Sequence, residues 1–283
     1  MKKFRLFFII LLTVIGTGMA SGQGSDVLDG IYKKELIANK RPIPYPYIRE
    51  ADVWWSKKVW RIVDLREKIN LPMYYPSKGQ DGRRSLIDVL IDAIKFDGLQ
   101  AYSDNDDEFK TKMNADQVSQ KMGAVNDTTD VQDPSTGTYS KKVVLGDIKY
   151  NEVKQILIKE IWYFDRNYSK IDVRIIGICP IRDVVKTTGG NDEIAKSQVF
   201  WVYFPAVRDI LAKNEVFNPK GDSQRLSYDD IFMKRYFSSY ITAESNVYDN
   251  RPINSYSVGM ESMVESDRIK GDIANFEHDL WQF

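Results

Sequence analysis

Of the side chains that most often ligate metals or act as nucleophiles, this chain of 283 residues has one cysteine and one histidine. With Cys179 alone, no intrachain disulfide can form, so the fold must be held by packing. Its setting, Ile175-Ile176-Gly177-Ile178-Cys179, is that of a small buried hydrophobe. With His278 alone, no two-histidine zinc motif exists, and no cysteine pair replaces it. No serine stands in a G-x-S-x-G turn, and neither common glycine-rich phosphate loop occurs. These absences point to a protein with no catalytic residues, no cofactor and no metal site. Net charge is missing too. Forty basic and forty acidic residues balance, whereas nucleic-acid binders usually carry a basic face, so no nucleic-acid partner is expected. Long hydrophobic runs are absent beyond the first two dozen residues.

That first stretch is informative. Lys2, Lys3 and Arg5 precede an apolar run from Leu6 to Ile15, followed by the small residues Gly16-Thr17-Gly18-Met19-Ala20-Ser21-Gly22. Positive start, short apolar core and small-residue exit are the parts of a secretory signal peptide, here residues 1–22. The run is too short for a spanning helix, which needs about twenty apolar residues. Cleavage after Ala20 or Gly22 suits the small-residue rule, and no cysteine lies near either cut to carry a lipid. The expectation is an exported, soluble, periplasmic protein with a net charge of about −3 once those three cations are gone.

Aromatic residues are plentiful, with 6 Trp, 16 Tyr and 13 Phe to supply burial area and interface anchors. Residues 23–50 form a Pro-rich arm, in which Pro42, Pro44 and Pro46 alternate with bulky residues such as Tyr45. Such a segment is extended, not helical. It either lies on the protein's own surface or docks on a neighbour. Residues 51–102 read as a first α+β unit. Val59 to Leu65 is its strand, Val53-Trp54-Trp55 a hairpin partner, and Ser85 with Asp88 caps a helix whose face is Leu86, Val89, Leu90 and Ile94. Residues 103–142 are polar and read as a linker or loop, with a short helix within 106–122.

Residues 143–258 read as a second unit. Val153, Ile156, Leu157 and Ile161 recur at helical spacing and predict an amphipathic helix over 147–161. Glu160 to Phe164 and Ile171 to Ile178 predict a hairpin, Thr187 to Asn191 an exposed loop, and Val199 to Phe204 a further strand. Ser227 with Asp230 caps another helix. Aligned without gaps, Gly79, Arg83, Ser85 and Asp88 fall on Gly221, Arg225, Ser227 and Asp230. Either one unit is duplicated, or a common turn-and-cap pattern recurs by chance. Residues 259–283 form a C-terminal helix, with Met260, Met263 and Val264 continuing towards Ile269, Ile273 and Phe276 as one core-facing or partner-facing stripe. The expected fold class is therefore α+β: two strand-hairpin-plus-helix units joined by a polar linker, with an N-terminal arm and a C-terminal helix.

The acidic run Asp104-Asn105-Asp106-Asp107-Glu108 lacks the central glycine and terminal glutamate of a calcium loop and reads as a solvated loop. Carboxylates and exposed aromatics keep one rival open, a periplasmic cell-wall glycan-binding module or hydrolase. The candidate interface residues are Pro42, Pro44, Tyr45, Pro46, Trp54, Trp55, Trp60, Phe276 and Trp281, since large aromatics beside basic residues anchor protein interfaces.

The run from Arg49 to Asn70, which includes Asp52-Val53-Trp54-Trp55-Ser56-Lys57-Lys58-Val59-Trp60, continues through Leu71-Pro72-Met73-Tyr74-Tyr75-Pro76. With Pro42 to Pro46 before it and Ile273 to Phe283 at the other end, it resembles the GldN/PorN family of the gliding-motility and type IX secretion machinery of Bacteroidota. The resemblance implies a non-catalytic subunit of a periplasmic ring. It also implies as partners an outer-membrane lipoprotein of the PorK/GldK type, the periplasmic region of a PorM/GldM-type motor protein, and further copies of itself. Association with the outer membrane would run through that lipoprotein. Asp127-Thr128-Thr129 also resembles the O-glycosylation signal of exported proteins in that phylum.

Overall fold

Alternation builds the first long strand. In β1 (Val53–Asp64) Val59 and Val63 point to one side, Trp60 and Ile62 to the other, and all four meet apolar partners. A computed structural model describes residues 37–280 except 78, 81, 125–126, 133–138, 145, 189–190 and 222–224. The expected signal peptide and Trp281 lie outside the described residues. Residues 40–283 form one unit and residues 1–39 another, of which only the turn at 37–39 is described.

After β1 come α1 (Leu71–Tyr74), α2 (Leu86–Lys95), β2 (Ala101–Ser103), β3 (Lys112–Met113) and α3 (Ala115–Lys121). Next are β4 (Asp127–Gln132), β5 (Tyr139–Val144), β6 (Val153–Asp165), β7 (Lys170–Thr188), β8 (Asn191–Gln198) and β9 (Phe200–Tyr203). The chain continues with α4 (Phe204–Lys213), β10 (Glu215–Val216), β11 (Leu226–Ser227), α5 (Tyr228–Met233), β12 (Tyr240–Glu244) and α6 (Met260–Asp279). The main sheet is antiparallel in the order β12-β1-β6-β7-β9-β2-β3, with β8 also beside β7. The pairs β4-β5 and β10-β11 stand apart from it as two-stranded ribbons.

The fold is α+β, as expected, and both caps form where the sequence places them. Ser85 Oγ accepts from Asp88 N at 3.2 Å and starts α2. Ser227 and Asp230 close a reciprocal capping box at α5. One face of the sheet carries α2, α4 and α5 over the main core, which includes Leu90, Ile91, Ile156, Ile158, Phe200 and Phe232. Further along the same face, Ile269 and Ile273 of α6 pack on Val59 and Ile241. The other face holds Trp60, Leu157, Cys179 and Trp201 beneath the loop that carries Phe109.

Four expectations change. The helix expected over 147–161 is a 3-10 turn at Tyr150–Glu152 followed by β6. Nearly every residue from Val153 to Glu160 is buried, so apolar residues on both faces imitated helical spacing, while β-branched Val153, Ile156, Ile158 and Ile161 suit a pleat. Val53 to Trp55 is no hairpin partner but the start of β1: Ser56-Lys57-Lys58 offers no Gly, Pro, Asn or Asp to turn the chain and pairs continuously with Tyr163, Trp162 and Ile161 of β6. Of the expected loop at Thr187 to Asn191, Thr187, Thr188 and Asn191 are strand residues of β7 and β8, while 189–190 lie outside the described residues. Met260, Met263 and Val264 do not continue the stripe of Ile269 and Ile273. At about 100° per residue Met260 and Val264 fall on the opposite side of α6 and Met263 on its flank, and all three are exposed.

The stretch 103–142 is more than a tether: Met113, Val118 and Met122 are buried in the main core. The two units suggested by the sequence share one sheet, since β1 lies between β12 and β6, and β2 pairs with β9. Their turn-and-cap blocks meet. The aligned pair Arg83 and Arg225 both reach Glu215, at 3.4 and 3.5 Å, and the Tyr228 hydroxyl donates to the Arg84 carbonyl at 2.7 Å. Outside those blocks the halves differ, for α4 has no counterpart between β1 and α1.

Candidate interaction surfaces

The proline arm is laid along the protein's own surface from Lys40 onward. Lys40 Nζ donates to Ser227 Oγ at 3.2 Å and pairs with Asp230, so the arm is pinned at the α5 cap. Burial would raise the Asp230 pKa, but its bonds with Lys40 and Ser227 together bring it below the usual carboxylate range. Tyr45 then lies between two guanidinium groups, 4.4 Å from Arg208 and 5.0 Å from Arg174. Arg208 is itself fixed by a buried two-bond pair with Asp229, at 2.8 and 3.1 Å. Arg174 also donates to the Pro46 carbonyl. Burial pushes the Tyr45 hydroxyl pKa up, with Arg208 opposing it, and that oxygen is enclosed without a hydrogen-bond partner. Pro44 and Pro46 stay exposed and Pro42 half-buried.

Two variants separate these contributions. Tyr45→Phe should keep or slightly raise stability, because it removes a buried hydroxyl that makes no hydrogen bond. Tyr45→Ala should cost ~2 kcal/mol through two lost cation–π contacts and make the arm sensitive to protease. Urea unfolding with limited proteolysis of both variants checks this, and equal losses would contradict it.

Trp54, Trp55 and Phe276 come together at one end of the sheet. Phe276 lies 4.7 Å from Trp55 and stacks on Trp54 at 6.4 Å and 22°, while Phe164 meets the Trp54 edge at 6.1 Å. Trp54 remains 68% exposed, so this cluster clamps α6 to β1 and still presents an open indole face. Trp60 is different. It is buried, its indole N–H donates to Asp107 Oδ2 at 3.1 Å, and Lys159 sits 5.5 Å over its ring.

The acidic run is occupied with shaping its loop. Asp106 accepts backbone N–H groups from Glu108, Lys110 and Thr111, of which Thr111 contributes most to lowering its pKa. Asp104 pairs with Lys121, and Asp107 with Lys159 at 3.1 Å. Cys179 is fully buried and its thiol is pushed up to about 12, chiefly by burial. His278 is exposed near the end of α6. Among the described residues no three His, Cys, Asp or Glu side chains gather as a metal cluster, and no helix is long and apolar enough to cross a membrane.

Two surfaces escaped the sequence. A groove of about 860 Å³ is walled by Ile69, Leu71, Pro72, Tyr75, Phe217 and Pro219. Its walls come from segments far apart in the chain, so no local pattern announces it. The other is the separate outward side of α6: the helix was a candidate to meet a partner, but Met260, Met263 and Val264 were put on one stripe with Ile269 and Ile273, although their angular positions were a usable signal.

Residues 48–282 match the family described as gliding motility associated protein GldN. The chain belongs to the GldN family. No curated protein sequence matches it. The GldN match takes in β1, the groove-lining Ile69 to Pro76, all of α6 and the Tyr45 partners Arg174 and Arg208, but begins after Tyr45 itself.

Proposed function

We propose that this GldN-family chain is a non-catalytic structural subunit of a periplasmic ring in the type IX secretion and gliding-motility machine. In this reading residues 1–22 are a cleaved export signal. The mature protein binds an outer-membrane lipoprotein of the PorK/GldK type and the periplasmic part of a PorM/GldM-type motor protein. The family match over residues 48–282 carries the proposal. The surface supports it: large apolar side chains stay exposed on α6, at Trp54 and around the groove, as expected of faces that meet other proteins.

The test is extraction of the tagged protein from its native envelope in mild detergent, followed by sizing and mass spectrometry. A very large particle containing a stoichiometric lipoprotein is expected. A small solitary species after gentle extraction would overturn the ring reading.

A further inference from the structure

α6 has two faces, and only one is used. Ser266, Ile269 and Ile273 are buried against the sheet. The outward side of α6 presents Met263 and Val264 at 54% and 64% exposure, then Asp267, Lys270, Gly271 and Ala274, none of them buried. A Cβ added at Gly271 would meet nothing within 4 Å, so open space lies above it. Among the described residues neither Asp267 nor Lys270 has a salt-bridge partner, although Arg268 between them has two.

We propose that this outer face of α6 pairs antiparallel with the same face of a second copy across a two-fold axis. The occupant is argued from self-complementarity. In an antiparallel pair centred between residues 268 and 269, Met263 of one copy meets Ala274 of the other, large against small. Asp267 meets Lys270 of the other copy, and the two-fold repeats both pairs with roles exchanged. Gly271 lies near the crossing point, where a missing side chain allows close helix approach. A helix of twenty residues is about 30 Å long, and a contact of that extent falls below a standard interface. The free protein therefore dimerises weakly and reversibly. Such a contact closes at two copies and cannot by itself propagate a ring. It stands independently of the ring proposal.

Sedimentation velocity of the purified protein over a concentration series tests it. Asp267→Lys and Lys270→Asp should each weaken dimerisation at least ~10-fold, and the double swap should restore it. Gly271→Leu should abolish it. Asp267 and Lys270 are exposed, so the charge swaps should leave circular dichroism and the thermal midpoint at wild-type values, whereas Gly271→Leu replaces a mid-helix glycine and should keep the fold with a midpoint at or above wild type. With Cys179 buried, Met263→Cys and Ala274→Cys proteins mixed together should form an intermolecular disulfide faster than either alone. A monomer at every concentration, a dimer indifferent to the charge swap, or growth beyond two copies would each overturn the proposal. None of those outcomes would bear on the particle extracted from the envelope.

Discussion

Replacing Glu160 by glutamine should lower the unfolding free energy by ~3–5 kcal/mol, as expected when one partner of a buried ion pair is removed. Glu160 is fully buried and serves two arginines. Arg61 Nε donates to Oε2 at 2.9 Å, and Arg235 Nη2 donates to the same oxygen at 3.2 Å. Arg235 Nη1 also lies 2.9 Å from Oε1, as an ion pair out of hydrogen-bond alignment. The Trp162 indole N–H adds a third donor to Oε2 at 3.1 Å, and both guanidiniums sit beside its ring. Burial lowers the Arg61 pKa, with Glu160 pulling the other way. Without the carboxylate charge, two cations face each other in a poorly solvated site.

Arg235→Ala is the informative companion. It leaves Arg61 and Glu160 as a balanced pair, and alanine keeps the Cβ that strains this position at φ 54°, so the backbone term does not change. Its cost should be clearly smaller. Urea unfolding of both variants reads the order, and an Arg235→Ala loss equal to that of Glu160→Gln would refute the carboxylate as the hub.

The second large effect concerns Gly177 on β7. A Cβ there would lie 2.5 Å from Phe109 Cζ and 3.2 Å from Trp201 Cε3. Phe109 has little room to yield, because Tyr102, Trp201 and Tyr203 surround its ring at 5.4, 6.2 and 5.6 Å. Its backbone is already in the left-handed region, at φ 61°. Gly177→Ala should therefore cost ~1–3 kcal/mol by overpacking and loosen the loop that carries Phe109. A double-mutant cycle with Phe109→Leu decides the cause. If the ring is what the new methyl strikes, the double variant loses less than the sum of the singles. Strict additivity would place the strain elsewhere.

Local chemistry was the legible part of this fold. Both helix caps could be read because a serine and an acid three residues apart bond within one turn, whatever surrounds them. The alternating run Ile171 to Ile175 was readable for the same reason, since period two is visible in five residues. Glu160 to Phe164 was read correctly as a strand in a hairpin with Ile171 to Ile178, but the first part of β6 was misread because burial on both faces erases that period. For the candidate surfaces the divide is similar. Tyr45 and Trp54 could be named as bulky residues beside charges. That Arg174 and Arg208 hold Tyr45, from positions well over a hundred residues away, depends on long-range packing. The role of Glu160 was equally hidden. It sits in a strand of mostly apolar neighbours, and its partners Arg61 and Arg235 come from opposite ends of the chain.

The length of β7 has a mechanical consequence. Nineteen residues at about 3.3 Å each make a rod of ~60 Å. Its first part is laced to β6 from Asp165↔Lys170 to Val153↔Arg182, and its last part is one leg of the ribbon with β8. Within β7 no loop or glycine hinge separates ribbon from sheet after Gly177. Tension applied at the ribbon and directed along β7 would therefore reach the centre of the sheet as shear, borne by the β6–β7 hydrogen bonds together. That is the stiffest direction in which an antiparallel sheet can be loaded, whereas a pull across the strands would part those bonds one at a time.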